Sequence, residues 1–379
     1  MAANWDRCLE RWIKAGLIDS STSESIRRYE KEQEKARGLG WPVILAIAFG
    51  GLLLAAGILL FVAAHWDRLS PTVRFTMVLV VLAVLHVAGA ITASRFAVLS
   101  TTLHAVGTIC LGAGIFLAAQ IFNLQEHWPS GVMLWAFGAL VGCALFGDWP
   151  HAVLAAVLTP FWLAGEWSEA THAYSGAQTV LAAGLSLTAI SYLTALRAEK
   201  RTPERIALAW VGGIILIPTV AAIMTSGRSF YWQKPLPFFY FLVGWISAVV
   251  LPLVFAWLMR RRSAWLNVLA AVWVAALASL SLQLVDQTSP FETTSLYGMS
   301  ALGSVGLSAW GLREERRERV NLGVIGFALT VMFFYFSTFM DKLGRSMSLI
   351  GLGVLFLLGG WLLEKTRRRL VAGIGKGSA

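Results

Sequence analysis

The chain has 379 residues, of which 57% are hydrophobic and only 14% are charged, and it contains 17 tryptophans. This composition excludes an ordinary soluble domain and is typical of a membrane protein. The net charge of +10 does not indicate nucleic acid binding, because residues 1–41 carry nearly as many carboxylates as Lys and Arg, whereas a DNA-binding module is strongly basic.

Residues 1–41 predict a short cytoplasmic helical hairpin. Apolar residues spaced along one helix face indicate a first amphipathic helix, which Gly16 is placed to end; they are Trp5, Cys8, Leu9, Trp12 and Ile13. Ser21 to Glu24 reads as a capping box that opens a second helix. We expect the hairpin to rest on the inner membrane surface. The alternative is that residues 1–38 dock a partner protein.

Apolar runs long enough to cross the bilayer follow, and they predict an all-α polytopic membrane protein with about twelve transmembrane helices. The bundle occupies residues 42–364, and 365–379 form a basic cytoplasmic tail. The run at 149–165 is the least certain, since with 131–147 it could instead form a re-entrant hairpin. The predicted spans are 42–64, 75–94, 99–119, 131–147, 149–165, 178–196, 206–225, 236–259, 264–284, 296–312, 320–338 and 346–363.

The distribution of Lys and Arg predicts the orientation. Cytoplasmic loops of membrane proteins collect these residues. With both termini in the cytoplasm, twelve spans place 25 of the 31 Lys and Arg residues on the inner side. The net charge thus indicates how the chain is oriented in the membrane. We also expect the cations at the cytoplasmic face to attract anionic lipid headgroups.

A set of polar and aromatic residues gathers on the predicted outer face. It comprises His65, Trp66, Asp67, Gln120, Asn123, Glu126 and His127. Gln120, Asn123 and Glu126 are three residues apart, which predicts a polar stripe that continues span three outward. These residues are the candidate ligand-binding site.

Each group in this set also has a structural interpretation. Trp66 suits the aromatic belt of the membrane interface, and Ser70-Pro71 predicts an N-cap and first-turn proline for span two. Against this, a histidine two residues from a carboxylate, as in His65 and Asp67, suits proton transfer or ligand orientation. Gln120 at the edge of the hydrocarbon fits either an interhelical hydrogen bond or a ligand contact.

The sequence indicates no metal site and no cofactor. None of the three cysteines has a CxxC or histidine partner at ligand spacing. His86 and His104 fall in or near spans two and three and are interpreted as packing residues. No charged residue lies at mid-depth in a span, which argues against an ion-coupled pump.

Several segments together resemble a known family. They are Trp12 to Asp19, the Ala-Ala-His-Trp-Asp that ends span one, Ala119 to Asn123, and the segment from Tyr335 to Arg369 with Arg345-Ser346. This pattern resembles the bacterial predicted membrane proteins with domain of unknown function 2157, in which span one commonly ends in Asn-Trp-Asp; His65 replaces the Asn here. The resemblance implies a multi-pass protein of the bacterial inner membrane and supplies no activity.

Three hypotheses about function remain open at this point. The first is binding or transport of a small or lipid-linked ligand from an outward-facing cavity around Asp67, Gln120, Asn123 and Glu126. The second is a membrane enzyme that acts on an envelope lipid or glycan with His65 or His127 as base. The third is a non-catalytic scaffold that recruits a partner through its N-terminal hairpin.

Overall fold

The computed structural model describes residues 15–36, 70–123, 127–196, 201–227, 234–283 and 290–338, with isolated residues within 9–13, 45–60 and 353–361. The chain divides into two compact units, Met1–Cys110 and Leu111–Ala379. Predicted spans 42–64 and 346–363 fall mostly outside the described residues, so they stay predictions.

In the first unit, the N-terminal segment contains a helix end and a second helix. The backbone N–H groups of Gly16 and Leu17 each lie 3.0 Å from the carbonyl oxygens of Ile13 and Trp12 respectively, and Gly16 has a φ of +67°. This is the Schellman arrangement that closes a helix. The second helix, α1, runs Ser20–Ala36. Its cap is Asp19, whose carboxylate accepts hydrogen bonds from Ser21 and Thr22, rather than the predicted capping box two residues later.

The rest of the first unit is built from α2 (Pro71–Thr92) and the beginning of α3 (Ala97–Ile121). Ser70 caps α2 by accepting a hydrogen bond from the Val73 N–H, with Pro71 in the first turn, as the sequence predicts. The rings of His86 and His104 stack with centroids 5.3 Å apart.

Among the described residues, the second unit contains the end of α3, eight further α-helices and a short 3₁₀ helix at Arg261–Ala264. The α-helices are α4 (Trp128–Phe146), α5 (Trp149–Thr171), α6 (Ala177–Ala195), α7 (Pro203–Ser226), α8 (Phe238–Arg260), α9 (Trp265–Gln283), α10 (Pro290–Arg313) and α11 (Arg317–Thr338). A short parallel pairing joins β1 (Tyr174–Ser175) to β2 (Lys234–Pro235).

Helix α6 lies at the centre of this unit and packs against α5, α7, α8 and α9. It is rich in Ala, Ser and Thr, and small side chains let neighbouring helices approach closely. Helices α6 and α7 cross closely at Gly212 of α7, because a Cβ there would lie only 2.5 Å from the backbone nitrogen of Leu193 on α6. An apolar cluster around Leu187, Ile223 and Leu277 fills the space between α6, α7 and α9.

Helices α5 to α11 alternate in direction. The end of α6 lies beside the beginnings of α7, α9 and α11 and the end of α8. Hydrogen bonds of Arg205, Arg260, Asn267 and Arg319 make these contacts. The end of α10 lies there too, because Arg260 also binds Glu314, the residue that follows α10. We call this the arginine end of the unit. At the opposite end, Ser226 binds Thr179 and the hydroxyl of Ser281 donates to Ile223.

Seven helical segments in the described part are long and apolar enough to cross a membrane. One of them, Phe238–Gln283, includes a break at Arg261, whose φ is +54°, so it comprises both α8 and α9. Helices α4 and α5 have 19 and 23 residues, and at 1.5 Å per residue they extend about 28 Å and about 34 Å. The structure thus shows several apolar membrane-type helices, whereas the total of twelve remains a prediction.

Candidate functional site

The arginine end contains a buried ion-pair network centred on Glu314, in the turn between α10 and α11. Arg260 donates to both carboxylate oxygens, and Arg319 donates to Oε2 at 2.6 Å. The Trp310 indole N–H donates to Oε1, also at 2.6 Å. Arg260 and Arg319 are each only 1% exposed, so one carboxylate compensates two buried guanidinium groups.

The same arginines, with Arg205, satisfy the last carbonyl groups of α6. Arg260 donates to the Thr194 carbonyl at 2.6 Å, Arg205 to Ala195 at 2.8 Å, and Arg319 to Leu196 at 3.1 Å. The final carbonyls of a helix lack partners within the helix and carry partial negative charge. Three cations from α7, α8 and α11 therefore hold the central helix in place.

The electrostatics of Glu314 follow from these partners. Burial raises its carboxyl pKa, but hydrogen bonds from Arg260 and Trp310 and the charge of Arg319 outweigh burial and lower that pKa from 4.5 to about 2. Both guanidinium groups also lie over the Trp310 ring, at 5.3 Å and 5.6 Å from its centroid. Glu314 is therefore ionised throughout the physiological pH range.

Beside this network lies a groove of about 660 Å³ between α7, α9, α10 and α11. Its walls are mostly aliphatic and aromatic, with Leu302 and Val305 being 62% and 54% exposed. Trp310 and Arg313 line it at the arginine end, and Tyr297 and Phe333 line it toward the other end. Along α10 the groove extends from Tyr297 to Arg313, or about 24 Å, which is most of the thickness of a bilayer's hydrocarbon core.

The predicted outer-face residues have mixed placements. His65, Trp66, Asp67 and Glu126 lie outside the described residues. Helix α3 ends at Ile121, and Asn123 adopts a left-handed conformation with a φ of +49°. The predicted continuation of the helix from Gln120 to Asn123 is therefore wrong, because α3 ends at Ile121 and Asn123 is left-handed. Both Gln120 and Asn123 are exposed.

His127 does meet another polar residue of the same face. Its Nε2 lies 2.6 Å from a carboxylate oxygen of Glu166 on α5, and Trp162 donates to the other oxygen at 3.0 Å. The hydrogen bond with His127 lowers the pKa of Glu166. The neighbouring Trp128 donates to Glu169 at 2.6 Å. His127 and Glu166 thus have the composition of an acid–base pair, and the Trp162 indole holds the carboxylate in place.

Sequence reasoning missed the network at Glu314 and the groove. It treated Arg260 and the arginines of 313–319 only as markers of topology. The available signal was position, since Arg260 directly ends a long apolar run and Trp310 precedes Glu314 by one helical turn. Such arginines face neighbouring helix ends as well as water.

Together, the apolar helices and the charged network at one end define a helical membrane protein. Residues 10–152 match the model of a family described as a predicted membrane protein (DUF2157). This match confirms the family resemblance over that part of the chain, and it supplies no activity. No curated protein and no solved structure matches the chain.

Proposed function

We propose that this protein binds a lipid or lipid-linked molecule in the groove between α7, α9, α10 and α11. The apolar chain of the ligand lies along the groove, and its polar group lies at Arg313. The observation that carries this proposal is an apolar groove of about 660 Å³ with an arginine in its lining.

The size and chemistry of the groove support this class of ligand. Sites for small molecules commonly have about 300–1,000 Å³ and apolar walls with a few polar groups. Ser300, Ser304 and Thr330 are among the polar residues in the lining. The hydroxyl oxygens of Ser300 and Thr330 lie 3.2 Å apart, and the Thr330 hydroxyl donates to the Gly326 carbonyl. The remaining walls offer dispersion contacts along a length that suits an extended hydrocarbon chain.

The charge at one end favours an amphipathic ligand over a wholly apolar one. Arg313 is exposed, and its guanidinium lies 5.1 Å from the centroid of the Trp265 ring. In the orientation that the cation distribution favours, this end faces the cytoplasm, so the ligand would enter from the inner leaflet. The outward-facing site around Asp67 and Gln120 remains a separate prediction.

Photo-crosslinking from the groove tests the proposal. A benzophenone amino acid replaces Val305 in the full chain, and a matched control replaces Ile246 of α8, which is 52% exposed and lies outside the groove lining. Both positions meet lipid if they face the membrane. We expect lipid adducts at Val305 to be enriched and chemically restricted relative to Ile246, where they should reflect bulk lipid composition.

The same experiment distinguishes the alternative occupant of the groove. The apolar run at 346–363 of this chain is the alternative, and it would give an intramolecular crosslink from position 305. A dominant crosslink to that run, or equal lipid adducts at both positions, contradicts the proposal.

The pairing of His127 with Glu166 supports a second candidate, the membrane enzyme acting on an envelope lipid or glycan. Because Glu166 binds the Nε2 atom of His127, the Nδ1 atom is left to face a substrate as general base. Mass spectrometry of envelope lipids from cells expressing His127→Gln tests this role. His172→Gln is the matched control, because His172 is exposed, follows α5 directly in the chain, and its ring binds the backbone carbonyl of Glu169 rather than a carboxylate. A change confined to His127→Gln supports the enzyme, and identical profiles contradict it.

A further inference from the structure

Arg316 is a buried cation beside the network at the arginine end, and its guanidinium group is not fully satisfied by hydrogen bonds. The residue is only 5% exposed, and its Nη2 atom has no hydrogen-bond partner among the described residues. Its neighbour Glu314 is already engaged by Arg260 and Arg319. A buried N–H group of a guanidinium that lacks an acceptor is costly, and such groups normally acquire one.

Charges of both signs lie near Arg316. Arg201 acts on it as a like charge, and the nearby carboxylates Glu314 and Glu318 act in the opposite sense. Among the described residues, arginines outnumber carboxylates at this end. The arginines are Arg201, Arg205, Arg260, Arg261, Arg262, Arg313, Arg316, Arg317 and Arg319, and the carboxylates are Asp148, Glu204, Glu314, Glu315 and Glu318.

We propose that Arg316 binds the phosphate of a phospholipid whose acyl chains occupy the groove. This rests on the proposed function and specifies the ligand's polar group. A phosphate presents several oxygens and negative charge, and guanidinium groups match that geometry. Arg313, three residues earlier, lines the groove, and Trp310 separates the groove from Arg260 and Arg319. Arg316 thus follows the groove-lining Arg313 by three residues, in the turn that leads into α11.

A lipid source is favoured over free phosphate because the groove provides the apolar half of the same ligand. The test compares dioleoyl phosphatidic acid with dioleoylglycerol, which has the same chains and no phosphate. Binding to the delipidated full chain in detergent is measured by native mass spectrometry. We expect phosphatidic acid to bind about tenfold more tightly, a ratio typical of one charge-assisted contact.

Two substitutions locate the effect. Arg316→Gln should reduce the ratio between the two lipids to about twofold or less. Arg317→Gln removes the same charge from the next, exposed position and should leave the ratio unchanged. Equal losses in both variants would mean a general surface attraction and overturn the proposal.

The outcomes separate this inference from the proposed function. If dioleoylglycerol binds and phosphatidic acid binds no better, the groove stands and the phosphate site is overturned. If phosphatidic acid alone binds, the phosphate site stands and the groove's role fails. Displacement of phosphatidic acid by excess inorganic phosphate down to the dioleoylglycerol level would assign the site to free phosphate and overturn the lipid source.

Thermal unfolding of the delipidated chain provides a readout that a structural role would not reproduce. Arg316→Gln removes a buried guanidinium that has an unsatisfied N–H group, so the Tm should stay constant or rise. A fall in Tm would show that Arg316 stabilises the fold through interactions within the chain, and it would overturn the inference.

Discussion

At the scale of single residues, Glu314 is the residue on which the charge balance of the arginine end depends. It neutralises two guanidinium groups that are almost fully buried. A buried ion pair contributes little net stability compared with an apolar replacement, but removing one partner leaves the other charge uncompensated. The contribution of Glu314 to stability should therefore be measured by replacing Glu314 alone and keeping both arginines.

Glu314→Gln should lower the free energy of unfolding by about 3–5 kcal/mol, because Arg260 and Arg319 lose their counter-charge. The matched control is Glu315→Gln, at the adjacent exposed position, which should change it by less than about 0.5 kcal/mol. Denaturant unfolding in mild detergent measures both. Similar effects of the two substitutions would contradict the role given to Glu314.

The pKa of Glu314 also predicts a pH dependence. Since this pKa falls from 4.5 to about 2 on folding, the carboxylate contributes stability that is fully present above about pH 4.5. That contribution, about 3 kcal/mol, is lost as the pH falls through the folded-state pKa. The stability difference between the native protein and Glu314→Gln should thus be constant from pH 7 to about pH 5 and shrink toward pH 2. A difference that disappears near neutral pH would rule out this ionisation.

At the scale of helices, close packing against α6 organises the second unit. Gly212 and Gly213 are adjacent on α7 and differ in what a side chain would meet. A Cβ at Gly212 would collide with backbone atoms of α6, whereas one at Gly213 would make an ordinary contact at 3.8 Å with the Leu193 side chain. Substitutions at Gly212 and Gly213 therefore form a matched test and control.

Gly212→Ala should destabilise the protein by about 1–3 kcal/mol through overpacking. Gly213→Ala should be neutral or stabilise the helix by up to about 1 kcal/mol, because alanine favours helix over glycine. Thermal unfolding in detergent compares them. Equal effects would show that the α6–α7 crossing is looser than described.

Sequence patterns predicted the helices well and their interactions poorly. The run at 206–225 predicted α7 (Pro203–Ser226), and Ser70-Pro71 predicted the start of α2, because apolar length and capping chemistry are local properties. The groove and the Glu314 network join helices far apart in the chain, such as Arg260 and Glu314, and no local spacing encodes that meeting. The predicted helical continuation to Asn123 was wrong because the spacing of polar residues does not show where a helix ends. Helix α3 ends at Ile121, and Asn123 adopts a left-handed conformation.

At the scale of the whole molecule, the orientation in the membrane follows from charge. The turns at the arginine end are rich in cations, and this end should face the cytoplasm. The opposite end has Lys234 in a short exposed strand. The structure gives the alternation of the helices, and the membrane sidedness is the prediction.

Cysteine accessibility checks this orientation. In a chain whose native cysteines are replaced, Arg201→Cys should react with an impermeant maleimide only after the cells are opened. Lys234→Cys, at the opposite end, should react in intact cells. Labelling of position 201 from outside would invert the topology and move the lipid headgroup to the outer leaflet.

The central claim is that the groove between α7, α9, α10 and α11 holds a lipid. The most direct measurement is lipid retention by the purified chain after substitution of two glycines on α10. A Cβ at Gly306 or at Gly298 meets nothing within 4 Å, but Gly306 lines the groove and Gly298 does not. The account predicts that Gly306→Leu lowers retained lipid by at least about tenfold while Gly298→Leu leaves it unchanged. Equal retention in both variants would contradict the claim.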